Sequence, residues 1–552
     1  MAVTNDSPQP KPPVISSAVP VRALAKNDAW FRIALWLMIA YYFALFCAFS
    51  LYRFNHFGTG IFDLGIFDQA TWLISRGKPP ILSSRGMNAF GDHFSPILYL
   101  IAPLYRIWDT PKTLLVLQTF ACSIGAYPVY LMARKRTGSF RIATLFSIAY
   151  FLCPSLQGVN SFDFHPESLA IPMLLFACWF LETKRPIPLI LSLLPTLLCK
   201  ETMGLTVICV GALAFFMINK GTGTVIILLG TLGQIISLGT MRYVNHGQPS
   251  AYASLYSAFG ATLPQIAWNL ISHPLHTLSV LFTAGNMGYA AEIIFPLGFL
   301  SLFAPRFLLP AAPAFLANML SNRDSMQMVY FQYGATIIPF VFYSAIAGYP
   351  VCYGMLMRRF RRHPLRVRKG LGIYLAYCVF LGMGMNLFNL FLKIYMCSSI
   401  ADTKIMRIAL ERIPSDASVS AELMLGGGMM HRESLYMFPN PFQKDCWGNS
   451  TRALNQERQR DFTLLPPPQL RGVIARSDVQ YVVFGNVKKL HYPLSEAYYK
   501  YYARIFLTDP HYGVIWANKV FILQRGANFA AGWKLLRMYR ENRIFLHEIG
   551  LH

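Results

Sequence analysis

Charged residues are scarce in this chain: they make up 13% of its 552 positions, about half of the roughly 25% usual in a soluble protein. That deficit excludes an ordinary water-soluble enzyme, which needs a polar shell around each core. Nucleotide-binding signatures are missing too. There is no GxGxxG or GxxxxGK[ST] run, and Gly426-Gly427-Gly428 lacks both the strand-to-helix setting and the lysine of a phosphate loop, so the chain is expected to use no nucleotide. None of the ten cysteines stands at zinc-binding spacing. Nine of them (Cys47, Cys122, Cys153, Cys178, Cys199, Cys209, Cys352, Cys378 and Cys397) lie in or beside apolar runs, where a free thiol behaves as a small hydrophobe. Only Cys446 is clearly outside one, which leaves Cys397 to Cys446 as a conceivable bridge.

What the chain does have is long apolar runs. Trp30 to Tyr52 carries no charge between Arg32 and Arg53; at about 1.5 Å per residue such a run crosses a hydrocarbon core of about 30 Å. It is too long for a removed signal peptide and has no small-residue cleavage site. Further spans are expected at about 112–133, 141–159, 167–182, 187–199, 202–219, 222–243, 288–304, 307–320, 333–356 and 371–396, eleven in all with the first. Phe94 to Trp108 is short and contains Pro96 and Pro103, so it is read as lying along the interface. Residues 1–28, rich in proline, serine and alanine, read as a disordered tail.

With 49 Lys and Arg against 25 Asp and Glu, the net charge is +24, and its placement identifies the partner. Arg134, Lys135, Arg136, Arg141, Lys184, Arg185, Lys220, Arg306 and the block Arg358 to Lys369 fall on one side of the proposed spans. That is the cytoplasmic bias of a membrane protein, so the partner is a lipid bilayer rather than nucleic acid. The tail is then cytoplasmic and the C-terminus outside.

The acidic and mixed motifs fall on the opposite face. Loop one holds Asp63 and Asp68, about 140° apart around a helix and therefore not expected to serve one site. Each is either a base among apolar groups, a helix cap or a partner for Arg53. Asp92-His93 follows; the two either bind substrate or orient each other. Asp163, His165 and Glu167 stand at alternate positions, as ligands for a divalent metal ion would, although Glu167 is also favoured by its first-turn place. Lys200-Glu201, with Arg242 and Arg323, either binds the phosphate of a lipid-linked substrate or forms interhelical salt bridges. From 398 to 552 charge returns and short β-like runs appear, including Val479 to Phe484. Tyr512 to Gln524 reads as a hairpin turning at Ala517-Asn518. This predicts a small extracytoplasmic α/β domain after a membrane domain of residues 29–397.

The strings FDLGIFDQ (62–69), GDHFSPILYLIAPLY (91–105), FDFHPESLAIP (162–172) and CKE (199–201), continued by IPSDA (413–417) and HRESLYMFP (431–439), resemble a bacterial family of multipass membrane proteins of unknown function. That family is grouped with the lipid-dependent GT-C glycosyltransferases. The resemblance implies a mainly α, GT-C-like fold in a bacterial inner membrane. It also implies transfer of a sugar from a polyprenyl-phosphate donor to an acceptor at the outer face. Asp63 would match the first-loop catalytic acid and Asp163 the second-loop acid. Leu64 stands where the pattern has a paired acid, which leaves the division of labour between Asp63 and Asp68, and any use of metal, open. A transporter or flippase of a lipid-linked envelope precursor, or a non-catalytic envelope-assembly protein, are the alternatives.

Overall fold

A computed structural model describes residues 29–247, 251–360, 362–441, 479–485 and 496–551. The tail 1–28 and Cys446 lie outside them. Among the described residues five helices are long and apolar enough to cross a membrane: Ala29–Asn55, Lys112–Thr137, Lys220–Val244, Ile338–Arg359 and Pro364–Tyr395. Two bent pairs raise the number to seven if each is one span: Phe140–Phe151 with Pro154–Ser161 (44°), and Pro274–Leu281 with Ala284–Leu297 (61°). The chain is thus a polytopic helical membrane protein; among the described residues five to seven of the expected runs have full spanning length as helices, and the others are shorter or broken.

The difference has a local cause. The runs at 167–182, 187–199 and 202–219 fold as helices of 16, 11 and 15 residues. Those at 288–304 and 307–320 break into 3-10 turns around Pro296, Gly298, Pro305 and Pro310. Proline removes a donor and clashes with the preceding turn, so apolar composition persists there while the helix does not. The helical part of the Phe94 to Trp108 run, Ile97–Arg106, is ten residues long and too short to span.

Contacts sort the molecule into two ends. At one, Phe31 stacks on Phe140, Arg136 and Tyr343 share the carboxylate of Glu182, and Arg136 lies over the Phe307 ring. These are the ends that carry the basic clusters. At the other end of the 27-residue first helix, roughly 40 Å away by its rise, Arg53 is buried against Asp163. Between them runs a continuous core from Leu35 to Val379, while Leu228, Ile235, Phe380 and Phe388 face outward, as lipid-facing side chains do.

The C-terminal region carries a five-stranded mixed sheet in the order Leu435–Met437, Val419–Ala421, Tyr481–Gly485, Val520–Arg525, Tyr512–Trp516. The first three strands are parallel and the last two antiparallel to their neighbours, with Ser420 opposite Tyr436 and Val482, and Val482 opposite Leu523. The expected hairpin is present, its loop at Ala517–Lys519 with Lys519 in the left-handed region (φ 64°). One face of the sheet packs Val482, Phe484 and Leu523 against Phe506, Leu536 and Phe545 of the flanking helices. The other packs Val419, Val483 and Ile522 into a cluster that also contains Phe57 and Ile61 of loop one.

A second seam lies beside it. Asp68, fully buried, accepts hydrogen bonds from Tyr105 Oη (2.6 Å) and His431 Nε2 (3.2 Å), while His431 Nδ1 faces Asp109 Oδ1 at 3.1 Å. Trp72 and Tyr105 flank the imidazole ring. Both ring nitrogens meet carboxylate oxygens, which favours the imidazolium form. Burial alone would push its pKa down, but Asp68, its hydrogen bond and Asp109 outweigh that and hold it above the usual value. A raised pKa stabilises fully below the ordinary histidine value of about 6.5 and is lost as pH rises through the folded-state value. We therefore expect the domain seam to loosen on alkalinisation, read as faster proteolysis of the C-terminal domain in membranes. His431→Phe should abolish the pH dependence; a dependence that survives it would refute the assignment.

Candidate functional site

After the first helix the chain turns at Phe57 (φ 52°). It is then pinned by two contacts, since Gly60 N donates to Asp163 Oδ2 (3.2 Å) and Arg53 donates to the Gly58 carbonyl. Asp63 therefore sits at the N-cap position of the helix Leu64–Ser75 but makes no capping bond. Its carboxylate faces a cavity of about 750 Å³ instead.

Nine of the eleven residues picked from sequence line this one cavity: Asp63, Asp92, His93, His165, Glu167, Lys200, Glu201, Arg242 and Arg323. The other two do not. Asp68 is turned away from the cavity and accepts hydrogen bonds from Tyr105 and His431. Asp163 is buried behind the wall, its two carboxylate oxygens taken by Arg53 and Gly60 N. It acts on the site through its neighbours.

The chemistry is uneven along the cavity. Burial, helped by the nearby Asp163 charge and opposed by Arg323, Arg53 and His93, raises the pKa of Asp63 to about 7. Opposite it, His165 is lowered to about 4, chiefly by burial, and is neutral at physiological pH. Its Nδ1 lies 3.0 Å from the backbone oxygen of Asp163. A carbonyl only accepts, so Nδ1 carries the proton and the Nε2 lone pair faces Asp63 Oδ1 at 3.8 Å. Phe162 and Phe67 hold the ring in that orientation. Asp63 and His165 thus present two proton acceptors to the same small volume, suited to removing a proton near neutral pH.

Further along, Lys200 pairs with Glu167. Burial disfavours its charge, but Glu167 and Glu201 more than offset that and hold the ammonium protonated. His93 Nε2 donates to Tyr252 Oη (2.8 Å), which donates to Asp92 Oδ1 (3.0 Å), while His93 Nδ1 faces Glu201 at 3.5 Å. Arg85 grips both oxygens of Asp92. Arg242 and Arg323 also line the cavity, and Arg323 reaches Tyr333 Oη (3.5 Å). The remaining wall is apolar, built from Leu205, Leu238, Met241, Pro313, Ala314 and Ala317. Leu238 and Met241 belong to a membrane-spanning helix, Lys220–Val244.

The expected metal trio does not fit. Asp163 is committed to Arg53, His165 to a carbonyl and to Asp63, and Glu167 to Lys200. Among the described residues no group of three His, Cys, Asp or Glu side chains is placed to hold an ion. Arg85 and Tyr252 are the functional residues missed from sequence. Arg85 lies in a turn and Tyr252 in a 3-10 helix, Ala251–Tyr256, and only the need of a buried Asp92 for a partner could have suggested the arginine.

Residues 53–472 match the family model described as a predicted membrane protein, DUF2079. No curated protein matches the chain in sequence. Among solved structures, the chain is similar to ArnT from Cupriavidus metallidurans bound to undecaprenyl phosphate. There the TM-score is 0.48 and the identity 10%, over 91% of this chain and 99% of that one. It is also similar to the same protein in the apo state, with TM-score 0.42, 10% identity and coverage of 87% and 97%.

A carboxyl group with these surroundings should react with dicyclohexylcarbodiimide, which modifies protonated acids in apolar settings. Labelling of the Asp63 peptide, followed by mass spectrometry, should be strong at about pH 6 and fall as pH rises through 7, because the raised pKa keeps the acid protonated below it. Asp63→Asn should remove it. A peptide unlabelled at every pH would show that Asp63 is ionised throughout and ill-suited to the role.

Proposed function

Starting from a chain that belongs to the predicted membrane protein family DUF2079, we propose that it is a GT-C-like membrane glycosyltransferase that moves a sugar from a polyprenyl-phosphate carrier to a hydroxyl acceptor. The observation that carries this reading is the composition of one cavity: an acid and a neutral imidazole at one end, cations beyond them, and an apolar wall shared with a membrane-spanning helix. A ligand with a charged head, a polar group to be transferred and a long apolar tail meets each of these surfaces in turn.

In this reading the isoprenoid tail lies along Leu238, Met241 and Ala317, and the phosphate is held by Arg242 and Arg323. Ionised Asp63 takes the proton of the acceptor hydroxyl while its oxygen bonds to the anomeric carbon. The bond from that carbon to the phosphate oxygen breaks, and the carrier phosphate leaves with the electron pair, stabilised by the same cations. The new carboxylic acid can donate to His165 Nε2, which is already oriented to accept. Lys200 and Glu201, with the Asp92 and His93 chain, contact the sugar hydroxyls. The basic end of the molecule would face the cytoplasm and the cavity the outer side of a bacterial inner membrane.

The test uses the full chain in nanodiscs with undecaprenyl phosphate as the binding probe, and the glycan profile of cells as the product readout. Asp63→Asn should lower product by roughly 10²- to 10⁴-fold and leave probe binding unchanged. Arg242→Ala combined with Arg323→Ala should weaken binding by about tenfold or more. Unchanged product with Asp63→Asn at equal protein level would overturn the enzymatic reading. Carrier movement across the membrane without a new glycosidic bond would replace it with transport.

A further inference from the structure

The glycine run that fails as a phosphate loop has another use in the structure. It ends a turn of the outer domain, Leu423–Gly426 followed by Gly427–Met429, and it lies against loop one in antiparallel register. A Cβ on Gly426 would overlap the Ile61 side chain, one on Gly427 would overlap the Thr59 carbonyl oxygen, and one on Gly428 would stand 3.1 Å from the Phe57 ring. Three consecutive glycines thus face residues 61, 59 and 57, alternate positions of the segment that leads to Asp63. The intervening glycines face elsewhere. Gly60 fits under Leu423, whose side chain a Cβ would meet at 2.9 Å, and Gly58 lies against Cys397 at 2.7 Å by the same measure. Ile61 N donates to the Leu423 carbonyl (3.0 Å), and Phe57 and Ile61 complete the apolar cluster beneath the sheet.

We propose that Gly426, Gly427 and Gly428 form a positioning clamp through which the outer domain fixes the backbone of residues 57–61, and with it the placement of Asp63 in the cavity. The outer domain is then part of the site's scaffold, although it contributes none of the described cavity-lining side chains. This rests on the proposed role of Asp63, but the contact itself does not. The three positions differ in what they tolerate. At Gly428 an aromatic ring edge can shift and at Gly426 the end of an isoleucine can turn. At Gly427 the obstacle is backbone, so the two segments must part by a distance on the order of an ångström. A displacement of about that size costs roughly 10²-fold in rate when it reaches a reacting group.

The experiment compares Gly427→Ala with Val482→Ala in the full chain. Val482 is fully buried on the far face of the same sheet, so its truncation weakens the outer domain without touching the loop. The readouts are the pH midpoint of carbodiimide labelling at Asp63, and product formation. Gly427→Ala should move the midpoint by about half a unit or more and lower turnover roughly 10²-fold, with Val482→Ala leaving the midpoint in place. Gly426→Ala should produce a smaller shift that Ile61→Ala relieves, since the pair share one contact. If Gly427→Ala does not accumulate as folded protein, Gly428→Ala and the Gly426 and Ile61 pair still decide the matter. An unmoved midpoint in every glycine variant, or an equal shift in Val482→Ala, overturns the clamp. A moved midpoint alongside normal product in Asp63→Asn keeps the clamp and removes the enzymatic reading instead.

Discussion

The ion pair between Arg53 and Asp163 holds the site together. It joins the C-terminal end of the first helix to the second loop, and the same two side chains reach the first loop through Gly58 and Gly60. Both partners are almost fully buried, a setting in which removing one partner typically costs about 3–5 kcal/mol because the other is left uncompensated. The pair also acts electrostatically. The fixed charge of Asp163 disfavours ionisation of Asp63, while the Asp163 backbone carbonyl selects the tautomer of His165. The pair therefore fixes the loop and the His165 tautomer, and its Asp163 charge adds to the burial that is the main cause of the raised Asp63 pKa.

Much of this was legible in the chain because membrane insertion separates residues by charge. Arginines and lysines collect at one end, and carboxylates with histidines at the other. The shared cavity follows from that sorting, since polar groups at a rim bordered by lipid must turn inward toward one another. The 140° separation of Asp63 and Asp68 on an ideal helix correctly sent them to different places: one to the cavity, the other to the domain seam. The Tyr512 to Gln524 hairpin was equally readable from its alternation and its turn.

Helix lengths were less legible than the apolar runs themselves. A proline in an apolar run does not make the run less apolar, and around Pro305 and Pro310 the chain forms a 3-10 helix within a segment that reads as a span. The alternate spacing of Asp163, His165 and Glu167 suggested a shared ligand, but each side chain found a different partner, and spacing cannot reveal partners on other elements. Arg85 and Tyr252 illustrate the same limit. Their contacts depend on Asp92 and His93, and nothing in the sequence beside either residue marks them.

The contact between the glycine turn and the first loop also has a consequence for biosynthesis. Thr59 and Gly427 are 368 positions apart (427 minus 59), so the ribosome makes the loop long before the turn that packs against it. Until that turn is made and folded, the loop that carries Asp63 has its contacts with Arg53 and Asp163 but not those with the glycines. Assembly is thereby ordered in time: a half-made chain has yet to acquire the packing that the glycine turn lays against the loop.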